Sequence, residues 1–360
     1  MSKQYKLLFF GSDLISQRVL TKLHNNRQVI SQMQAVVPPS KKPRTPLHDL
    51  HTYIKKSEIP VFQEFGKGTK QMWSDLEGKL LADQHDIGIV ASFGHMIPDS
   101  IIDKFNEGML VVHPSLLPKY RGSCPIQHTI LNREKVAGVS VIEISKNVFD
   151  AGAILYQASV PIAENTRFSE LSETLADLGA DGVLQILSDY QGHRDKRIIQ
   201  DQSKVTSAKM IQPEFGLIEF SNLSALDVQA RFNALFGSNT RPRAIAKEGL
   251  DPKYLDQPLY FDQLTRVTFD NPLETDILIA ELQTAPSIPP GSLHWNFKKD
   301  KSRVFIKCSA PCSGKYDWVY FSSVTLSGVG SVKAQDFMGK FMENKSYHAV
   351  KNPVFKFRFQ

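Results

Sequence analysis

The chain contains D-I-G-I-V-A-S at residues 86–92 and M-L-V-V-H at residues 109–113, two continuous apolar runs. Such runs are typical of strands that are buried on both faces of a sheet. Two further runs, Tyr5–Phe10 and Met33–Val37, precede them, and segments with helical spacing of apolar residues separate the strands. Strands that alternate with helices form right-handed βαβ units on a parallel sheet. The first half is therefore predicted to be an α/β domain.

The composition of the sequence changes after a long amphipathic helix predicted over residues 167–190. Residues 191–207 are polar and charged and are predicted to be a linker. Beyond them, short β-type runs broken by Pro and Gly indicate a small β-barrel or sandwich. We therefore expect one domain over residues 1–190, the linker, and a second domain over residues 208–360.

Composition excludes several classes of protein. The 360 residues are 41% hydrophobic, and no run approaches the 18 consecutive apolar residues of a membrane span. Three cysteines argue against a disulfide-built secreted protein. The net charge of +6 is concentrated in residues 294–360, which carry 12 basic and 4 acidic side chains. This basic end indicates either a surface that contacts phosphate or a solvated lysine-rich surface.

The usual nucleotide and metal motifs are missing from the sequence. Gly11-Ser12-Asp13, after the first predicted strand, is too poor in glycine for a dinucleotide fingerprint, and no phosphate-binding loop with G-x-x-x-x-G-K-[ST] occurs. Kinase, NTPase and dehydrogenase functions lose most of their support. The His and Cys residues show no cluster at ligand spacing, so no metal is expected.

His113 and Asp150 are the candidate catalytic residues. His113 ends a predicted strand, at the edge where open α/β sheets bind their ligands. Asp150 lies in the tight loop F-D-A-G between two later strands. Such a pair can stabilise an oxyanion and shuttle a proton at neutral pH. The residues alone also allow, and slightly favour, a structural hydrogen bond that holds two loops together.

Several motifs resemble those of the folate-dependent formyltransferase family, and the resemblance runs from about residue 5 to 341. The most specific segments are H-P-S-L-L-P-K-Y-R-G-S-C-P-I (113–126), G-V-S-V (138–141) and F-D-A-G (149–152). Further segments are similar to the family members that formylate methionyl-tRNA: L-L-F-F-G-S (7–12), A-S-F-G-H-M-I-P (91–98), V-T-S-A-K-M (205–210) and Q-D-F-M-G (335–339).

The resemblance implies a fold and a reaction. The fold would be a Rossmann-like formyltransferase domain with a mainly parallel sheet, followed by a small OB-like β-barrel that helps to bind tRNA. The co-substrate would be 10-formyltetrahydrofolate, and the acceptor would be the α-amine of methionine on initiator tRNA, in support of translation initiation. A monomer is expected, with no metal, no DNA and no membrane as partners.

The resemblance also implies roles for residues. His113 would stabilise the oxyanion, and Asp150 would set its protonation and help to remove the amine proton. The folate pocket would be lined, through backbone groups, by Phe93, Gly94, Ser115, Leu116, Leu117 and Pro118. The tRNA would be bound by Lys41, Lys42 and Arg44 in a Pro-rich loop and by Lys298, Lys299, Lys301 and Arg303 in the second domain.

One departure from the family pattern concerns the position two residues before His113, where the family has Asn and this chain has Val111. A valine side chain cannot donate a hydrogen bond to an oxyanion. Val111 therefore keeps open the alternative of a catalytically impaired tRNA-binding relative. A second alternative, a formyltransferase acting on a small amine or amino sugar, also stays open, although such a small acceptor would not need the basic second domain. The F-D-A-G variant and the basic end are more similar to mitochondrial than to bacterial members, so a mitochondrial location is expected, with the bacterial cytoplasm as the alternative.

Overall fold

A computed structural model describes the protein over most of its length. The described residues are 3–37, 50–64, 69–238, 240–267, 290–295, 300, 302–309, 318–342, 354–355 and 358–359. The chain divides into two compact units. The first comprises Met1–Thr129, Glu134–Glu164 and Ser169–Met210, and the second comprises Ile130–Arg133, Asn165–Phe168 and Ile211–Gln360.

The first unit is built on a seven-stranded sheet. Its strands are β1 (Tyr5–Gly11), β2 (Ile30–Val37), β3 (Val61–Glu64), β4 (Ile87–Ala91), β5 (Met109–His113), β6 (Val136–Glu143) and β7 (Ile154–Pro161). They lie in the order β3-β2-β1-β4-β5-β6-β7. The five strands from β3 to β5 are parallel, whereas β6 and β7 pair antiparallel at one edge. The predicted mainly parallel α/β sheet is confirmed.

Helices cover this sheet. They are α1 (Leu14–His24), α2 (Leu50–Lys56), α3 (Thr69–Ala82), α4 (Asp99–Ile102), α5 (Pro125–Leu131), α6 (Phe168–Ser188) and α7 (Tyr190–Asp195). The chain turns from β1 into α1 at Asp13, whose carboxylate accepts a hydrogen bond from the backbone N–H of Ser16 at 3.0 Å. This capping box satisfies N–H groups that the first turn of a helix leaves free.

The core of the first unit lies on both faces of the sheet because side chains alternate along each strand. Leu7 and Phe9 of β1 are buried in one apolar cluster, which includes residues of α1 and α6. Leu8 and Phe10 are buried in a second cluster, which includes residues of α3 and α4. The consecutive apolar residues of β1 are therefore buried, because helices cover both faces of the sheet.

The second unit is mainly antiparallel β structure. Its helices are α8 (Ala225–Leu235) and α9 (Ala334–Lys340), and its strands are β8 (Arg243–Glu248), β9 (Pro258–Phe261), β10 (Thr265–Arg266), β11 (Leu293–His294), β12 (Val304–Lys307), β13 (Trp318–Phe321), β14 (Ser323–Leu326), β15 (Gly330–Lys333), β16 (Val354–Phe355) and β17 (Arg358–Phe359). They form two five-stranded sheets, β10-β13-β12-β11-β16 and β15-β14-β9-β8-β17. Both sheets bury their apolar side chains in one cluster that includes Phe261, Phe321 and Phe337.

The segment after α6 differs from its prediction as a linker. Residues up to Met210 belong to the first unit, and they include the helix α7. The polar residues of this segment can lie within a compact unit because several of their side chains, such as that of Gln200, form hydrogen bonds to its backbone. Among the described helices, none combines the length and the apolar content that a bilayer-spanning helix requires.

Candidate active site

His113 is the last residue of β5 and is nearly buried, with 5% of its surface exposed. Its Nε2 lies 2.9 Å from the carbonyl oxygen of Tyr120, and its Nδ1 lies 3.5 Å from Oδ1 of Asp150. Both ring nitrogens therefore face oxygen acceptors. A neutral imidazole can donate to only one of them, whereas an imidazolium donates to both. The ring is held in one orientation at the carboxyl edge of the sheet.

Asp150 reaches His113 from the turn between β6 and β7. Its side chain is 11% exposed, and its Oδ2 accepts a hydrogen bond from the backbone N–H of Gly122 at 2.9 Å. Its φ of +57° lies in the left-handed region, which non-glycine residues adopt only when surrounding contacts hold them. The predicted pair is thus brought together, with one carboxylate oxygen toward the imidazole and the other on a backbone donor.

Val111 lies on the same face of β5 as His113, because the two residues are two positions apart on a strand. It is half-buried and packs against a small apolar cluster formed by Leu117, Ile142 and Ile154. Its side chain therefore contributes an apolar wall where an amide would offer a donor.

The signature loop, residues 114–124, is held by side chains from the antiparallel edge of the sheet. The Ser140 hydroxyl of β6 donates to the carbonyl of Ser115 at 2.7 Å and accepts from the N–H of Leu117 at 3.1 Å. Gln157 of β7 donates from Nε2 to the carbonyl of Leu117 at 3.0 Å. These contacts give the loop a fixed shape without regular secondary structure.

This anchoring changes how the predicted folate-lining residues can act. The carbonyls of Leu116 and Pro118 accept hydrogen bonds from other main-chain N–H groups at 3.1 and 3.3 Å, in addition to the bonds to Ser115 and Leu117. The backbone carbonyls of these four predicted folate-lining residues are thus already engaged within the protein. A ligand would contact this loop through its side chains, or as a second hydrogen-bond donor to a carbonyl oxygen that already accepts one bond.

Phe93 and Gly94 follow β4, the strand beside β5, at the same edge of the sheet. Phe93 is 3% exposed and packs edge-on against Phe10, with ring centroids 5.5 Å apart. Gly94 has a φ of +75°, and a Cβ built on it would meet nothing within 4 Å. Open space at Gly94 leaves room for a ligand to approach the backbone, whereas Phe93 serves the core.

A segment predicted largely as linker closes the signature loop. We call residues 198–208 the closing segment. The backbone of Arg121 donates to the carbonyl of Thr206 at 2.9 Å and accepts from the N–H of Ala208 at 2.7 Å. Gly122 fits against this segment because a Cβ would lie 2.8 Å from the carbonyl oxygen of Ala208. The quoted motif V-T-S-A-K-M was the signal that could have assigned this segment to the site.

Of the predicted tRNA-binding residues, Lys41, Lys42, Arg44, Lys298, Lys299 and Lys301 lie outside the described residues. Arg303 is described, and its guanidinium forms an ion pair with Asp300 and lies over the ring of Tyr320, 5.2 Å from the centroid. Burial favours the neutral acid at Asp300, but hydrogen bonds from Ser302 and Arg303 outweigh it and lower the pKa of Asp300. Arg303 is 17% exposed and is engaged within the protein.

Within the part of the chain that the structure describes, no group of three or more His, Cys, Asp or Glu side chains could hold a metal ion.

The sequence is similar to formyltransferases from animals and bacteria. A family model described as formyl transferase matches residues 5–187. The mitochondrial methionyl-tRNA formyltransferase of Bos taurus is 28% identical over 94% of this chain and 78% of its own length. The methionyl-tRNA formyltransferase of Lactococcus lactis is 33% identical over 66% of this chain and 74% of its own length. The matches to the human, mouse and rat mitochondrial enzymes cover less than half of those proteins.

A solved structure shares the fold. The N-formyltransferase of Helicobacter canadensis, crystallised with folinic acid and a dTDP-aminosugar, has a TM-score of 0.53 and 15% identity. The similarity covers 88% of this chain and 98% of that one.

Proposed function

The chain belongs to the formyl transferase family, with methionyl-tRNA formyltransferases among its relatives, and we propose that it formylates initiator methionyl-tRNA. The formyl group of 10-formyltetrahydrofolate would move to the α-amine of the esterified methionine, which marks the tRNA for translation initiation. The observation that carries this proposal is the buried His113–Asp150 pair at the carboxyl edge of the sheet. A carboxylate-supported imidazole is suited to an acyl transfer that passes through an oxyanion.

The reaction assigns one step to each member of the pair. The amine nitrogen attacks the formyl carbon, and the carbonyl oxygen becomes a tetrahedral oxyanion. His113 donates a hydrogen bond to that oxygen, for which the carbonyl of Tyr120 is the competing acceptor at 2.9 Å. The attacking amine loses its proton to the His113–Asp150 pair. As the bond from the formyl carbon to N10 breaks, the pair returns a proton to N10, which yields tetrahydrofolate and the formamide.

The donor would bind at the carboxyl edge between the loops that follow β4 and β5. Gly94 supports this site because open space surrounds its Cβ position. The side chains of Ser115 and Leu117 are nearly buried, so they would shape the loop, and Leu116 and Pro118 are half-exposed and available for contact.

The tRNA would be bound by the predicted basic residues. Lys41, Lys42 and Arg44 would contact the acceptor end, and the lysines at 298, 299 and 301 would contact phosphates. Arg303 would join them, and its guanidinium is also paired with Asp300. The two antiparallel sheets of the second unit support an OB-like, tRNA-binding domain over residues 208–360, with residues 1–190 as the catalytic domain.

We further propose a monomer that works in the mitochondrion, with the bacterial cytoplasm as the alternative. One relative is named as a mitochondrial enzyme, and another comes from a bacterium.

The test is formyl transfer from 10-formyltetrahydrofolate to methionyl-tRNA, measured for the parent, His113→Ala and Asp150→Asn. We expect transfer by the parent and its loss in both variants. A parent that binds tRNA without transfer would favour an impaired tRNA-binding relative. A parent that formylates only a small amine or amino sugar would favour the other family chemistry.

The binding of tRNA is tested separately by substitutions in the Pro-rich loop. Reversing the charge of Lys41, Lys42 and Arg44 together should weaken tRNA binding and flatten its dependence on salt, because fewer counterions are released. An unchanged salt slope would contradict the assignment of this loop.

A further inference from the structure

Gln200 of the closing segment is a nearly buried amide, 4% exposed, whose two polar atoms are both fully used. Its Nε2 donates to the carbonyls of Asp150 and Gly152, at 2.8 Å each. Its Oε1 accepts from the guanidinium of Arg121, at 3.0 Å from Nε and 2.6 Å from Nη2. Only one orientation of the amide fits these partners, because the carbonyls need a donor and the guanidinium needs an acceptor.

The two carbonyls that Gln200 binds belong to the turn that carries the catalytic carboxylate. Asp150 holds a left-handed φ of +57° there. Gly152 is in such close contact that a Cβ would lie 1.7 Å from the carbonyl oxygen of Glu143. A non-glycine residue in this conformation persists only where its surroundings hold it. The amide of Gln200 supplies two hydrogen bonds to the backbone of this turn.

The contacts form a closed ring around the carboxylate. From Gln200 the ring passes through the backbone of Asp150 to its side chain, whose Oδ2 accepts from the N–H of Gly122 at 2.9 Å. Gly122 adjoins Arg121, whose side chain returns to Gln200. The ring thus couples the position of the Asp150 carboxylate to the loop that begins at His113. It closes through one side chain of the closing segment.

We propose that Gln200 is a positioning residue for formyl transfer, which fixes the Asp150 turn so that its carboxylate faces the His113 imidazole. This inference rests on the proposed function. Gln200 acts through Asp150 and is not assigned any contact with substrate.

The sharpest test is Gln200→Glu. The carboxylate keeps acceptors for Arg121 and so retains that part of the ring, but it loses the donor and sets an oxygen against the two carbonyls. We expect kcat to fall by about 10- to 100-fold, on the scale of a misplacement of roughly 1 Å at a reacting group. The KM for 10-formyltetrahydrofolate should stay close to that of the parent, because the donor site is not altered.

Gln202 provides a matched control. Its Oε1 accepts from Nη1 of the same Arg121 at 3.2 Å, and its Nε2 donates to the carbonyl of Gln200 at 3.0 Å. The described contacts of Gln202 do not include the Asp150 turn. Gln202→Glu makes the same chemical change beside the same guanidinium, and its kcat should remain close to that of the parent.

The outcomes separate the two proposals. Equal kcat for the parent and Gln200→Glu, both active, would overturn the role of Gln200 and leave the function intact. A rise in KM with kcat unchanged, or an equal fall in Gln202→Glu, would also overturn it. A parent without formyl transfer would instead refute the proposed function. If Gln200→Glu loses its cooperative unfolding transition, Gln200→Asn keeps the amide on a shorter stem and should show a smaller fall in kcat alone.

Discussion

Val111→Asn tests whether the site lacks a hydrogen-bond donor that the reaction could use. Val111 lies two residues before His113 on β5 and points to the same face of the sheet. Its strand neighbours are Val90 and Ile142, so its backbone is fixed on both sides. An asparagine there would place an amide beside the imidazole without moving the strand.

The substitution is expected to raise the rate of formyl transfer and to lower the free energy of unfolding. A single donor to an oxyanion contributes about 2.7–4 kcal/mol to the transition state, which is roughly 100- to 1,000-fold in rate. Burying a valine fully contributes about 1.5–3 kcal/mol to folding, and half of that is at stake for the half-buried Val111. The amide also loses water against the apolar cluster of Leu117, Ile142 and Ile154. We therefore expect faster transfer by a protein that is less stable.

The assay is single-turnover transfer to methionyl-tRNA with saturating 10-formyltetrahydrofolate, beside thermal unfolding of the same preparations. Val111→Leu is the control, because leucine has nearly the shape of asparagine and no amide. The rate of chemistry should rise in Val111→Asn and stay at or below the parent value in Val111→Leu, with a lower unfolding midpoint for Val111→Asn.

A folded Val111→Asn that transfers no faster than the parent would refute the reasoning. The site would then be adapted around valine, with another group already donating to the oxyanion. A similar rise in Val111→Leu would show that volume, not donation, changed the rate.

Two further predictions concern stability. Gly152→Ala should destabilise the protein by roughly 1–3 kcal/mol, because its Cβ would lie 1.7 Å from the carbonyl oxygen of Glu143. Gly78→Ala, in α3 with open space around the new Cβ, should instead stabilise the protein by about 0.4–1 kcal/mol. Denaturant titration measures the free energy of unfolding of both variants. Burial lowers the pKa of His85, so below about pH 6.5 the unfolded chain binds a proton at this residue more readily than the folded protein does. The free energy of unfolding should therefore fall as the pH drops below that value. His85→Gln should remove part of this loss, and equal acid sensitivity of the unfolding midpoint in both proteins would exclude His85 as a cause.

The sequence predicted the central strands because burial on both faces leaves a plain pattern. Every residue of D-I-G-I-V-A in β4 that lies inside the strand is buried, as continuous apolar runs predict. The antiparallel pairing of β6 and β7 leaves no such pattern, since their apolar residues would suit either direction. His113 and Asp150 were identified by residue type, by their loops and by the family motif. Their 3.5 Å separation depends on the left-handed turn at Asp150, which its residue type does not specify.

The closing segment shows why polarity misleads a reading of the sequence. A run of polar residues predicts solvent exposure because an unpaired polar group is costly to bury. Gln200 is nevertheless 4% exposed, because the left-handed turn at Asp150 presents backbone carbonyls that also need partners. One buried amide satisfies two of these carbonyls and a guanidinium at once, so its burial satisfies groups that would otherwise remain unpaired. A turn that needs this support and a chain segment that supplies it are some fifty residues apart. A local pattern in either segment therefore gives no sign of the other, and only the fold brings the demand and its partner together.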